Sequence, residues 1–191
     1  FAMGIFTKAH EFTAKWEGGL VDHPADPGGI TNHGVSLRWL RDQGIDVGDI
    51  DGDGDIDADD IRKLTKEQAA ALFRERFWEP LRCDDYAQPV ALTLYDAAVN
   101  CGPAQAVRFA QRAVNAMGGQ LDVDGKLGAL TRAELIVMGG DDDGHALALA
   151  ICDQREKFYR QLVDSKPSLA VFLKGWLNRV TSLRKEVRCY D

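Results

Sequence analysis

The chain has 191 residues, 45% of them hydrophobic and 28% charged, an ordinary globular composition with room for one sizeable core or two small ones. Its net charge of −7 argues against a nucleic-acid partner, which calls for a basic face, and offers nothing to an anionic membrane surface. No apolar run approaches the roughly 20 residues of a membrane-spanning helix.

Phe1-Ala2-Met3-Gly4 has neither the basic region nor the apolar core of a signal peptide, and Phe1-Ala2 ahead of Met3 reads as an added remnant. The expectation is a protein made in the cytoplasm without a signal peptide. Ile5, Ala9, Phe12 and Trp16 then recur at the spacing of one helical face, and Gly18-Gly19 stops the helix. Glu17 falls on its last turn, at the negative end of the dipole and beside Trp16, a setting that favours a protonated acid. A carboxyl group that keeps its proton is what a glycosidase needs to protonate a leaving sugar oxygen. Asp26 follows nine positions later and Thr31 five after that, in a loop whose Gly28, Gly29 and Gly34 permit a tight hairpin. Folded back, the loop would bring a carboxylate and a hydroxyl toward Glu17, able to orient a water at an anomeric carbon. The plainer alternative is a solvated helix end followed by an Asp-Pro-Gly-Gly turn.

The run E-G-G-L-V-D-H-P-A-D-P-G-G-I-T-N-H-G-V, Glu17 to Val35, resembles the N-terminal signature of glycoside hydrolase family 108, bacterial and prophage N-acetylmuramidases with a lysozyme-like helical fold. It resembles more loosely the Glu/Asp/Thr arrangement of phage lysozymes. The resemblance implies Glu17 as general acid, with Asp26 and Thr31 positioning the water. Four residues separate Asp26 from Thr31 where phage lysozymes have five, so Thr31 carries over less directly. Asp22, a second carboxylate close to Glu17, can share the role given to Asp26.

Ser36 reads as the N-cap of a short helix, Leu37 to Gln43, closed by Gly44. Asp49-Ile50-Asp51-Gly52-Asp53-Gly54-Asp55-Ile56-Asp57-Ala58-Asp59-Asp60 then matches the twelve-position EF-hand loop, with acids at positions 1, 3 and 5, Gly at 6 and a carboxylate at 12. Ca2+ is a hard cation that takes six to eight oxygens, so Asp49, Asp51, Asp53, Asp55 and Asp60 are the expected ligands. Asp60 replaces the usual Glu, and Gly44 and Gly48 interrupt the incoming helix, which points to a structural ion instead of a paired sensor. A hydrated acidic turn is the plainer alternative.

Thr65-Lys66-Glu67-Gln68 is a capping box opening a helix through Phe77, stopped by Glu79-Pro80. Pro89 begins another, with Leu92, Tyr95, Ala98 and Val99 on one face, ending at Gly102. Its run Leu94 to Gly102 again resembles family 108, and Asp96 and Asn100, i,i+4 neighbours, are expected to line the glycan groove with Asp22 as substrate contacts. Pro103 starts a helix closed by Gly118-Gly119. The Asp124-Gly125-x-x-Gly128-x-x-Thr131 pattern, after Gln111 and Asn115, resembles small helical peptidoglycan-binding modules, and Thr131 to Glu134 reads as a second capping box. Two amphipathic helices follow the acidic stretch Gly139 to Gly144, the last with Leu169, Phe172, Leu173, Trp176, Val180, Leu183 and Val187 facing inward. Cys83, Cys101, Cys152 and Cys189 lack CxxC spacing and read as reduced residues.

The expected fold is mostly α and lysozyme-like, with a short β-hairpin beside the active-site helix. Residues 3–88 would form a catalytic lobe holding the calcium loop at 49–60, and residues 89–191 a helical lobe resembling a peptidoglycan-binding module packed on the first. The resemblance implies hydrolysis of the β-1,4 bond between N-acetylmuramic acid and N-acetylglucosamine by a monomer acting on peptidoglycan glycan strands, reached in the periplasm by holin-type or other export. The alternatives are a non-catalytic peptidoglycan-binding or secretion-accessory protein with a structural calcium loop, or a calcium-dependent interaction module.

Overall fold

Phe6, Ala9, Phe12 and Thr13 supply the buried side of the first helix, α1 (Ala2–Glu17), in a computed structural model that describes residues 2–22 and 29–190. The expected inward stripe is shifted: Trp16, one residue before the helix ends, is 38% exposed. The chain divides into two compact units, His10–Glu75 and Phe1–Ala9 with Arg76–Asp191. The fold is mostly α and lysozyme-like.

In the first of these units, β1 (Thr31–Asn32) and β2 (Val35–Ser36) pair antiparallel, with Thr31 opposite Ser36 and Asn32 opposite Val35. Two-residue hairpins of this kind need positive φ at both turn positions, and His33 (φ 50°) and Gly34 (φ 81°) supply it. Val21 adds an antiparallel bridge to Thr31, with N···O distances of 2.7 and 2.8 Å. Ser36 caps α2 (Leu37–Asp42) by accepting the Trp39 N–H at 3.2 Å. The short α3 (Ile45–Gly48) precedes the acidic loop, and α4 (Ala58–Lys63) leaves it. The capping box at Thr65 and Gln68 opens α5 (Lys66–Phe73), as its sequence dictates. Leu40, Ile61, Leu64 and Phe73 are among the buried side chains here.

A π-helical turn, Arg74–Trp78, follows α5. The larger unit is organised on α6 (Gln88–Cys101), whose residues Pro89 to Ala98 are all buried. A helix buried on every side belongs at the centre of a bundle, and this one takes even Thr93 and Asp96 inside. α7 (Pro103–Ala116), α9 (His145–Ser165) and α10 (Ala170–Arg188) pack around α6, and α8 (Ala129–Gly140) lies against α7 and α9. Phe6, Trp78 and Tyr95 meet edge to face, with centroids 5.4 to 5.7 Å apart, the arrangement that aromatic quadrupoles favour. Two local expectations are corrected. α8 begins at Ala129 with no side-chain cap, because the Thr131 hydroxyl accepts from Gln111 Nε2. At the start of α10 the apolar stripe overhangs the core, leaving Phe172 53% exposed. All four cysteines are free.

Candidate active site

Glu17 closes α1, and Gly18 (φ 82°) turns the chain away while its N–H reaches Ala14 O at 3.2 Å. The hairpin is pressed against this glutamate. A Cβ placed on Gly34 would lie 2.8 Å from Glu17 Cβ and 3.1 Å from Phe73 Cζ, so only glycine lets the turn approach so closely. Thr31 stands on the same hairpin, three residues before Gly34, held on one side by Val21 and on the other by Ser36. Buried Asn32 donates from Nδ2 to Ile61 O at 3.0 Å, fastening the hairpin to α4. The half-buried Glu17 and Thr31 are therefore carried on two elements locked by a backbone contact and a side-chain anchor. Trp16, Leu20 and Val21 remain exposed beside Glu17 in the chain. Asp22 is exposed and paired with Arg62 at 3.3 Å, whose guanidinium also binds Asp59 at 2.8 Å. Asp26 lies outside the described residues.

The acidic loop has the turn chemistry its sequence implies. Asp49 accepts the N–H groups of Gly52, Asp53 and Gly54 at 2.7 to 3.1 Å, and Asp60 accepts those of Ile50, Asp51 and Asp57 at 2.7 to 3.2 Å. Asp57 and Asp60 also form a capping box on α4. Asp49, Asp51 and Asp53 bring ligand oxygens within 4.8 Å of one another, and Asp55, Asp57 and Asp60 do the same. Lys63 pairs with Asp51 and, by that hydrogen bond first, lowers its pKa. The charge of Asp53, then burial, then the remaining aspartates raise that of Asp55. A crowded, all-oxygen donor set with Gly54 at φ 98° fits a hard divalent cation.

The family model for glycosyl hydrolase 108 matches residues 10–102, and one for a predicted peptidoglycan domain matches residues 105–181. Comparison with curated proteins gives no match. Among solved structures, the chain is similar to that of Brucella abortus SagA, at 31% identity and a TM-score of 0.74, with 98% of this chain and 96% of that chain covered. The chain belongs to glycosyl hydrolase family 108. As a family 108 glycosyl hydrolase it joins a glycosidase region, holding Glu17, the hairpin and the acidic loop, to a region of the peptidoglycan-domain type.

In this glycosyl hydrolase Asp96 does not line a groove, a correction to its expected place. It is fully buried, with Arg155 Nη1 at 2.7 Å from one oxygen and Arg179 Nη2 at 2.8 Å from the other. Burial works to raise its pKa, but the two guanidiniums outweigh it and hold the carboxyl at about 2. Arg155 also donates from Nε to the Tyr159 hydroxyl at 2.8 Å, and that hydroxyl donates to Asn100 Oδ1. Asn100 itself stays exposed at the surface end of this chain of bonds. Arg155 had one signal in the sequence: it continues the i,i+4 series Leu147, Ile151, Arg155, Tyr159, where a core apolar residue belongs. Gln111, named in the sequence with the Asp-Gly pattern, is the anchor of that turn. It donates to Asp124 Oδ1 at 2.9 Å and accepts from the Asp124 and Gly125 N–H groups, latching the Asp-Gly turn onto α7.

Proposed function

We propose that the protein is an N-acetylmuramidase that hydrolyses the β-1,4 bond between N-acetylmuramic acid and N-acetylglucosamine in peptidoglycan. The observation that carries this reading is Glu17 at a helix end, clamped by a hairpin turn that leaves no room for a side chain. In this reading the Glu17 carboxyl gives its proton to the glycosidic oxygen as the bond to the anomeric carbon breaks. Asp26 takes a proton from the water that attacks that carbon, and the Thr31 hydroxyl orients the same water. Preorganisation of the acid explains the rigid support, because a misplaced proton donor forfeits most of the benefit of general acid catalysis. A Ca2+ ion held by Asp49, Asp51, Asp53, Asp55 and Asp60 would screen the like charges of the loop and so stiffen the base of α4, to which Asn32 ties the hairpin.

The test is release of reducing ends from purified peptidoglycan by wild type and Glu17→Gln, with both folded by circular dichroism. Soluble fragments ending in a muramic acid reducing sugar, from wild type alone, are expected. Equal release by both proteins would remove Glu17 from the chemistry. Absence of release by wild type, while it still binds sacculi, would replace the enzyme with a binding protein.

A further inference from the structure

In the larger unit, Tyr159 on α9 and Trp176 and Phe172 on α10 form a stacked series of rings. Tyr159 and Trp176 have centroids 5.0 Å apart at 21°, and Trp176 and Phe172 are 5.8 Å apart at 28°. Tyr159 is buried, Trp176 half-buried and Phe172 53% exposed, so the series climbs from the core to the surface. Exposure of a large ring at the end of a packed stack calls for an explanation, since the preceding Val171 is also 78% exposed. Polar groups flank the rings. Asn100 accepts the Tyr159 hydroxyl through Oδ1, which leaves its Nδ2 donors with no partner among the described residues. The Trp176 indole N–H likewise has none there.

The inner end of the series is rigid. Tyr159 is held by Arg155, which is fixed by Asp96 together with Arg179. Two buried guanidiniums on one buried carboxylate are an expensive way to stabilise a core. They are a reasonable way to hold a surface residue such as Asn100 in one orientation. Apolar ring faces bordered by uncharged N–H donors match the surface of an N-acetylated sugar, whose C–H faces stack on aromatic rings and whose acetamide carbonyls and hydroxyls accept hydrogen bonds.

From this we infer that Phe172, Trp176 and Asn100 form a saccharide-binding strip for the N-acetylated glycan strand, remote in sequence from Glu17. Tyr159, Arg155, Arg179 and Asp96 position it. This rests on the peptidoglycan reading above and deepens it by naming residues and the part of the polymer they take, the sugars and not the peptide stems.

The experiment uses the full chain in a Glu17→Gln background, to stop turnover, with binding measured on purified sacculi and on soluble peptide-free N-acetylglucosamine oligomers. Phe172→Leu keeps an apolar side chain but removes the ring, and is expected to weaken binding about tenfold, the loss of one stacking contact. Phe172→Tyr is expected to bind as the parent does, and Asn100→Ala to bind several-fold more weakly. Thermal melts check that each variant is folded, and the exposure of Phe172 makes it the tolerant position. If the parent binds sacculi and Phe172→Leu and Asn100→Ala bind equally well, the strip is overturned and the peptidoglycan reading stands. Binding to sacculi without binding to the peptide-free oligomers overturns the assignment to sugars. If the parent binds neither and the wild type releases no reducing ends, both readings fall together.

Discussion

At Gly34 two independent constraints coincide: a backbone φ of 81° and a Glu17 side chain 2.8 Å from where a Cβ would stand. Gly34→Ala should therefore cost about 1–3 kcal/mol in chemical denaturation, from left-handed strain plus displacement of the turn. If the clamp orients the acid, hydrolysis falls further than the loss of folded protein explains, measured at a temperature where both proteins are fully folded. Unchanged specific activity would disconnect the turn from the chemistry. Asp96 poses the opposite case, a side chain whose removal is felt through its partners. Asp96→Asn leaves Arg155 and Arg179 buried without a counter-charge and should destabilise by about 3–5 kcal/mol. An unfolding free energy from urea titration that falls by less than about 1 kcal/mol would show the guanidiniums to be reached by solvent or another anion.

Among the elements, the acidic loop makes the most direct prediction. Millimolar Ca2+ should raise the melting temperature relative to chelator, by up to about 2.7 kcal/mol of stability at a hundredfold excess over the dissociation constant. Asp53→Asn, at an exposed ligand position that caps no helix, should abolish that shift while leaving the melt in chelator near that of wild type. Identical melts with and without Ca2+ would leave the loop as a self-contained cap on α4. The helix starts at Ser36 and Thr65 were legible in the sequence because their hydrogen bonds run over three residues, and most of the loop because its bonds run over two to five, with Asp60 reaching back nine and ten residues to Asp51 and Ile50. The hairpin was legible because only glycine suits the left-handed end of its turn. What escaped depends on distant partners. Thr131 looks like a cap until Gln111, 20 residues earlier, claims its hydroxyl, and Asp96 looks solvent-facing until arginines 59 and 83 residues later close on it. Trp16 and Phe172 look like core residues in the sequence because periodicity gives the direction of a helix face but not where the packing beneath it stops.

For the molecule as a whole, two groups in the larger unit set opposite edges of a stability window. His145 has Nδ1 2.7 Å from the Asp142 carbonyl and Nε2 2.7 Å from that of Tyr190. Both partners only accept, so both nitrogens must carry hydrogen, and the ring binds as the imidazolium. The bonds to Asp142, then Tyr190, raise its pKa above 6.5 against the opposing effect of burial, with the charges of Asp142 and Asp143 adding to the rise. Lys8, 3.8 Å above the Tyr190 ring, adds a cation to the same corner. A raised histidine contributes stability that is whole below 6.5 and lost as the pH climbs through its folded value. Asp96, lowered from 3.8 to about 2, contributes stability that is whole above 3.8 and lost as the pH falls toward 2, on the order of 2 kcal/mol. Urea midpoints should accordingly be highest between about pH 4 and 6.5 and decline on both sides. His145→Gln should lower the plateau and flatten the decline on the alkaline side while leaving the acid side as it was. If the wild-type midpoint holds level from pH 6 to about pH 9, His145 does not fasten the C-terminal strand of contacts as an imidazolium, and one of its two carbonyl partners is released in solution.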